Sequence, residues 1–319
     1  LRKLLPDPFV IALLATLLLA TVLPARGGGA VVANWVATAL ILLLFFFHGA
    51  KLSRQAILEG IRNWPVHALI LVSTFVMFPL LGLLVWTLFS ATVPMPRPVW
   101  LGVLYLAALP STVQSSIAFT SIARGNVPAA IASASASQVL GVFLTPPLVA
   151  LLAGAHGGQV PLSGIGGIVL QVLVPFLAGQ ALRPWIGDWV QRHKAAIAFT
   201  DRGAILAAVY SAFSAAVVEG IWKRVQFSTI AILLGLCLIL LVCSLAFTWG
   251  TARLLKFPRG DRIAILFCGT KKSLVQGVPI ARVLFTGADV GLILLPIMIF
   301  HQLQLMACAW ISSRYAREG

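Results

Sequence analysis

The chain has 319 residues, 60% of them hydrophobic and 10% charged, with a mean hydropathy of +1.01. A soluble domain carries roughly 25% charged residues, so too few polar side chains remain here to cover a water-facing surface, and a separate soluble domain is excluded. The formal net charge of +15 would suit nucleic acid, but its distribution along the chain argues against that partner.

A spanning helix takes ~20 mostly apolar residues. Apolar runs set off by Pro, Gly and basic residues predict ten spans, near 7–24, 31–49, 65–91, 98–124, 127–153, 162–181, 203–220, 228–255, 261–286 and 289–313. Sorted by the connections between them, sixteen Lys and Arg fall on one side: Arg2, Lys3, Lys51, Arg54, Arg62, Arg124, Arg183, Arg192, Lys194, Arg202, Arg253, Lys256, Arg259, Arg262, Arg314 and Arg317. Five fall on the other (Arg26, Arg97, Lys223, Arg224, Arg282), and Lys271 and Lys272 lie within a span. This asymmetry predicts both termini in the cytoplasm, which requires an even number of spans. The first apolar stretch lacks a small-residue cleavage site and is not expected to be a signal peptide.

The longest connection, 182–202, holds Trp185, Trp189 and the cluster Arg192–His193–Lys194. Such a mixture is expected to lie in the cytoplasmic headgroup region. It divides five spans from five, with halves at 1–155 and 160–319 of one membrane domain. A five-span unit must insert upside down relative to its twin, so inverted repeats are expected.

The fourth span of each half is interrupted. The first reads Leu109-Pro110-Ser111-Thr112-Val113-Gln114-Ser115-Ser116, and the second Cys268-Gly269-Thr270-Lys271-Lys272-Ser273, then Gln276-Gly277-Val278-Pro279. Proline removes a backbone donor and glycine weakens a helix. Matched interruptions in two halves point to a transport site, with unwinding expected near Pro110–Ser115 and Gly269–Ser273. The fold class expected is therefore an all-α membrane protein with broken crossing helices 4 and 9.

Lys271 and Lys272 are the most informative residues. A lysine in mid-span costs ~2.5–3.5 kcal/mol to insert, and apolar sequence flanks the pair on both sides, so at least one is expected to face a polar cavity. Two neighbouring ammonium groups repel, so one is expected to give up its proton more readily or to point elsewhere. Thr112, Gln114, Ser115 and Ser116, with Thr270, Ser273 and Gln276, are candidate substrate or ion ligands at the breaks. Ser133 and Ser137 share a helix face beside Gln138, serving close helix packing or binding. His301, deep in the last span, is either a hydrogen-bonded core residue or a proton relay. The span interiors hold no carboxylate, which disfavours cation pumping. Cys237, Cys243, Cys268 and Cys308 lie in apolar stretches without metal-ligand spacing.

With these residues in view, the whole chain resembles the bile acid:sodium symporter superfamily, solute carrier family 10. Gly125-Asn126-Val127 through Leu144-Thr145-Pro146 is similar to that family's turn into its fifth span. Phe267-Cys268-Gly269-Thr270-Lys271-Lys272-Ser273-Leu274 with Gly277-Val278-Pro279 resembles the branch of its orphan member 7. The resemblance implies a core of spans 3–5 and 8–10 moving against a panel of spans 1, 2, 6 and 7, with organic anions as substrates. It also implies sodium sites behind the crossing, for which this chain lacks most ligands. Ser115 and Ser116 stand for the family's Ser-Asn pair, Ala130 and Ala134 for its hydroxyls, Cys268 for its ion-binding Glu and Lys272 for a Gln.

Lys272 is therefore expected to replace the missing cation, bridging the breaks through Ser115, Ser116 and exposed carbonyls. The function expected is secondary transport of an organic anion by alternating access, in a multi-pass protein of a bacterial inner membrane. The partners expected are a small organic anion and membrane lipid, with no cofactor and no metal. The competing reading is a regulatory or scaffold membrane protein that keeps the fold without transport. No nucleophile–base–carboxylate set supports an enzyme.

Overall fold

The computed structural model describes residues 8–51, 63–154, 169–285, 287 and 289–317, and every element among them is helical. Arg2, Lys3, Arg54, Arg62 and the expected start of the sixth span near 162 lie outside the described residues. In chain order the helices are α1 (Pro8–Val22), α2 (Gly28–Lys51), α3 (Trp64–Phe89), α4 (Arg97–Ala108), α5 (Gln114–Ile122) and α6 (Val127–Gly154). They continue as α7 (Val174–Arg192), α8 (Lys194–Val218), the single turn α9 (Ile221–Arg224), α10 (Phe227–Leu254), α11 (Arg259–Gly269), α12 (Leu274–Leu284) and α13 (Asp289–Arg317). Six of these (α2, α3, α6, α8, α10 and α13) are long and apolar enough to cross a membrane. The chain is an all-α, multi-pass integral membrane protein.

Three local departures from regular helix position the polar residues of the interior. Within α3, residues Ser73–Met77 form a π-helical turn in which the Phe78 N–H reaches back to the Ser73 carbonyl. In that register the Thr74 carbonyl would take the next N–H, but residue 79 is proline and has none. Helix α4 stops at Ala108 because Leu109 precedes Pro110 and is driven into extended backbone, φ −73° and ψ 153°. Helix α11 ends at Gly269, and Thr270–Ser273 is non-helical before α12 begins.

The stretch 182–202, expected as the connection between halves, is helical except at His193, where α7 gives way to α8. Its aromatic and basic residues are compatible with a helix, and α7 absorbs Pro184.

The chain divides into two compact units. The smaller comprises 1–52, 160–226 and 278–294, and the larger 53–159, 227–277 and 295–319. In the smaller unit α2 packs against α7 and α8, and α1 against α8. Ala50, Val190 and Ile197 form a core cluster there, and Lys51 pairs with Asp201 at 2.7 Å. In the larger unit α11 is central, touching α3, α5, α6 and α10. Its core includes Val66, Ile70, Ala130, Ala134, Ala264 and Cys268.

Candidate functional site

Each interruption leaves the last carbonyls of a helix without intrahelical donors, and in an apolar medium every one of them needs a partner. All lie within the larger unit, and three of the last four carbonyls of each helix have a donor outside the regular helical pattern. In the first break the Leu109 N–H turns back to the Leu106 carbonyl. The Ala107 and Leu109 carbonyls each accept from Lys272 Nζ, at 2.8 and 2.7 Å. Ala108 accepts from Thr145 Oγ1 at 3.1 Å, Pro110 from the Ser273 N–H at 2.8 Å, and Ser111 from Gln138 Nε2 at 2.8 Å.

The second break is satisfied the same way. Leu266 accepts from Thr270 Oγ1, Phe267 from Ser116 Oγ at 3.0 Å and Cys268 from Ser111 Oγ at 2.6 Å. Gln304 of α13 clamps the backbone of Lys272 from both sides, its Oε1 accepting the N–H at 2.8 Å and its Nε2 donating to the carbonyl at 2.9 Å. The two breaks therefore hold each other, directly through Ser273 and Pro110 and indirectly through Lys272 and Ser111. Gln304→Met would leave both Lys272 backbone groups unpaired, at roughly 1–3 kcal/mol each. We expect a clear fall in melting temperature in detergent, and an unchanged melt would show that the clamp contributes nothing.

Lys272 is the centre of this arrangement. It is fully buried, and the third proton of its ammonium goes to the Thr74 carbonyl at 2.8 Å, the acceptor freed by the π-turn and Pro79. Its Nζ also stands 4.2 Å from the Phe78 ring centroid. Three donors meet three orphaned carbonyls from two segments, with no donor left over. The bridge to Ser115 and Ser116 expected from the sequence is not formed. Those hydroxyls pair with Thr112 Oγ1 at 2.8 and 3.1 Å, because Gln114 already starts α5 and turns them toward their own helix and Phe267. The first break accordingly ends at Val113 and does not extend to Ser115.

The other sequence candidates separate into groups. Ser137 Oγ accepts from the Ser111 N–H, and Gln138 Nε2 donates to Ser273 Oγ as well as to Ser111. Gln276 Nε2 donates to the Gln138 carbonyl, and the side-chain oxygens of both glutamines are buried without a donor. Ser133 instead pairs with His67 on α3, and Gln114 is exposed. His301 Nδ1 meets Gln304 Nε2 at 2.9 Å, supporting the clamp. Lys271 is also fully buried, but its Nζ has no hydrogen-bond partner and lies over the Phe119 and Phe267 rings at 4.0 and 5.7 Å.

Sequence reasoning missed Thr74, Ser111 and Gln304 as participants. Pro79 behind Ser73-Thr74 was the available signal for the first, and a glutamine one turn from His301 for the last. Gly141 and Gly277 let the helices reach the break. A Cβ on the former would meet Pro110 at 2.5 Å, and on the latter Leu109 at 2.8 Å.

Two interrupted helices joined by their broken backbones inside a multi-pass membrane protein are an arrangement in which membrane transporters build their sites. The chain belongs to the SBF-like CPA transporter family, whose sequence profile matches residues 7–317. It is 56% identical to "Uncharacterized protein PA2026" of Pseudomonas aeruginosa, over 99% of this chain and 95% of that protein. It is 49% identical to "Putative symporter YfeH" of Escherichia coli, over 98% and 93%. To "Sodium/bile acid cotransporter 7" of Rattus norvegicus it is 30% identical, over 83% and 78%.

Proposed function

We propose that this protein is a secondary transporter of an organic anion that works by alternating access without a bound sodium ion. The observation that carries the reading is the Lys272 ammonium, which serves three carbonyls of α3 and the first break from a position in the second. It supplies a fixed positive charge where a cation-coupled carrier would collect an ion. Ten spans in two inverted repeats complete the proposal, with both termini cytoplasmic in a bacterial inner membrane. The charge asymmetry, the matched breaks and the two bacterial relatives support it. The gathering of spans 3–5, 8 and most of 10 into one compact unit supports the division into core and panel.

The residues standing at the family's sodium ligands do not fit that ion. Ala130, Ala134 and Cys268 lie in an apolar cluster. The Cys268 carbonyl is occupied by Ser111, and Ser116 Oγ by Phe267. The name of the rat relative carries sodium and bile acid together, and only an anionic substrate transfers to this chain. Purified protein in sealed vesicles is expected to take up an organic anion equally well in sodium and in potassium, with the same melting temperature in both salts. A saturable effect of sodium absent with potassium would overturn the sodium-free reading. Absence of uptake across a panel of carboxylates and sulfonates would favour the scaffold reading instead.

A further inference from the structure

Arg282 sorts by sequence with the charges of the outer side and has no part in the breaks. It belongs to the smaller unit, near the end of α12, eight residues beyond Leu274 and so ~12 Å along the helix from the second break. There its guanidinium donates through Nη2 to Asn34 Oδ1 of α2 at 2.9 Å. The same oxygen accepts from Ser211 Oγ of α8. Asn34 is exposed, whereas Ser211 is buried.

Two further groups of this unit are buried without partners, Arg282 Nη1 and Ser214 Oγ. Ser214 lies one helical turn beyond Ser211, on the same side of α8. Arg282 thus spends one hydrogen bond on a neutral amide and keeps a buried N–H pair unused. Among the described residues no carboxylate pairs with it. A guanidinium in an apolar segment is rarely left without a counter-charge, and its fork geometry matches two oxygens of one anion. Asn34 sits near the start of α2, and Ser211 and Arg282 near the ends of α8 and α12, so the site lies where α2 begins and α8 and α12 end.

We propose that Arg282, with Asn34, Ser211 and Ser214, forms an anion-binding site in the smaller unit, distinct from the breaks, that accepts the carboxylate or other oxyanion of a ligand. Two sources carry this chemistry, a transported carboxylate and the phosphate of an anionic lipid. The site rests on the transporter reading only for the first of them.

The test uses the full-length protein in nanodiscs of phosphatidylcholine, with octanoate as the charged probe and octanamide as its neutral control. Octanoate is expected to raise the parent melting temperature saturably and octanamide not. In Arg282→Gln, which keeps an N–H donor but no charge, the octanoate response should weaken by about tenfold or more, while Arg282→Lys should recover part of it. If discs containing phosphatidylglycerol raise the melt of the parent but not of Arg282→Gln, and octanoate is without effect, the site stands with a lipid headgroup as its ligand. If parent and Arg282→Gln respond alike to both probes, the proposal is overturned. Unliganded melting of the glutamine and lysine variants near the parent value shows that they fold. Octanoate binding together with no uptake of any anion of the carboxylate and sulfonate panel would overturn the transporter reading and leave the anion site intact.

Discussion

Lys272→Met is expected to abolish uptake into sealed vesicles and to lower the melting temperature by several degrees. Methionine keeps similar bulk but donates nothing, so the Thr74, Ala107 and Leu109 carbonyls lose their partner together. Each buried acceptor left unpaired costs roughly 1–3 kcal/mol. The opposing effect is that the variant no longer buries an ammonium, whose desolvation costs several kcal/mol. In the parent that penalty is already offset by three charge-assisted hydrogen bonds and the Phe78 ring. The orphaned carbonyls, by contrast, have no water to turn to in an apolar interior. We expect a net loss of about 2–4 kcal/mol on these grounds.

Lys271→Met supplies the comparison. Its ammonium makes no hydrogen bond and lies over two aromatic rings, so removing it relieves an unpaired buried charge and should leave the melt unchanged or raise it. If Lys272→Met melts and transports like the parent, Lys272 is a spacer and the cation-replacement mechanism fails.

The breaks themselves were legible in the sequence because proline and glycine act locally. Leu109-Pro110 forces an extended residue wherever it occurs, and Gly269 ahead of two lysines is a poor place to continue a helix in lipid. The partners were not legible. Lys272 is satisfied by main-chain carbonyls, which the residue alphabet does not display, and one of those carbonyls is free only because a π-turn and Pro79 coincide in α3. The hydroxyls of the opposite break, Ser115 and Ser116, are the natural partners to assign to an ammonium, but α5 already begins at Gln114 and takes both into the helix.

In the stretch 182–202 tryptophan and basic residues are the chemistry expected at a water–lipid interface. They are also adequate helix formers, so composition does not show that α7 and α8 run through it. Arg282 reads as an interfacial charge because Asn34 is 248 residues away in the chain. Only the hydrogen bonds that join Arg282, Asn34 and Ser211 reveal that the guanidinium enters a polar cluster, where no carboxylate among the described residues meets it.

Gly179→Ala, or Gly49→Ala, is expected to destabilise the protein by about 2 kcal/mol or more, the range in which overpacking a tight contact falls. These two glycines form the closest approach of α2 and α7, and the relation is reciprocal. A Cβ on Gly49 would overlap the carbonyl oxygen of Phe176, and one on Gly179 the carbonyl oxygen of Phe46. Both obstacles are main chain, so no rotamer change can make room and the helices would have to separate. Alanine does gain up to ~1 kcal/mol in helix propensity over glycine, which works in the opposite direction. The clash outweighs it, because small residues are what allow membrane helices to pack closely, and packing is a principal attraction left to them in lipid. The two substitutions share one contact, so the double variant should lose less than the sum of the singles. Gly235→Ala in α10 is the control, since nothing lies within 4 Å of the position its Cβ would take. It is expected to melt at or slightly above the parent temperature in the same detergent. Were Gly179→Ala to melt with Gly235→Ala, the close approach of α2 and α7 would not be what holds the smaller unit together.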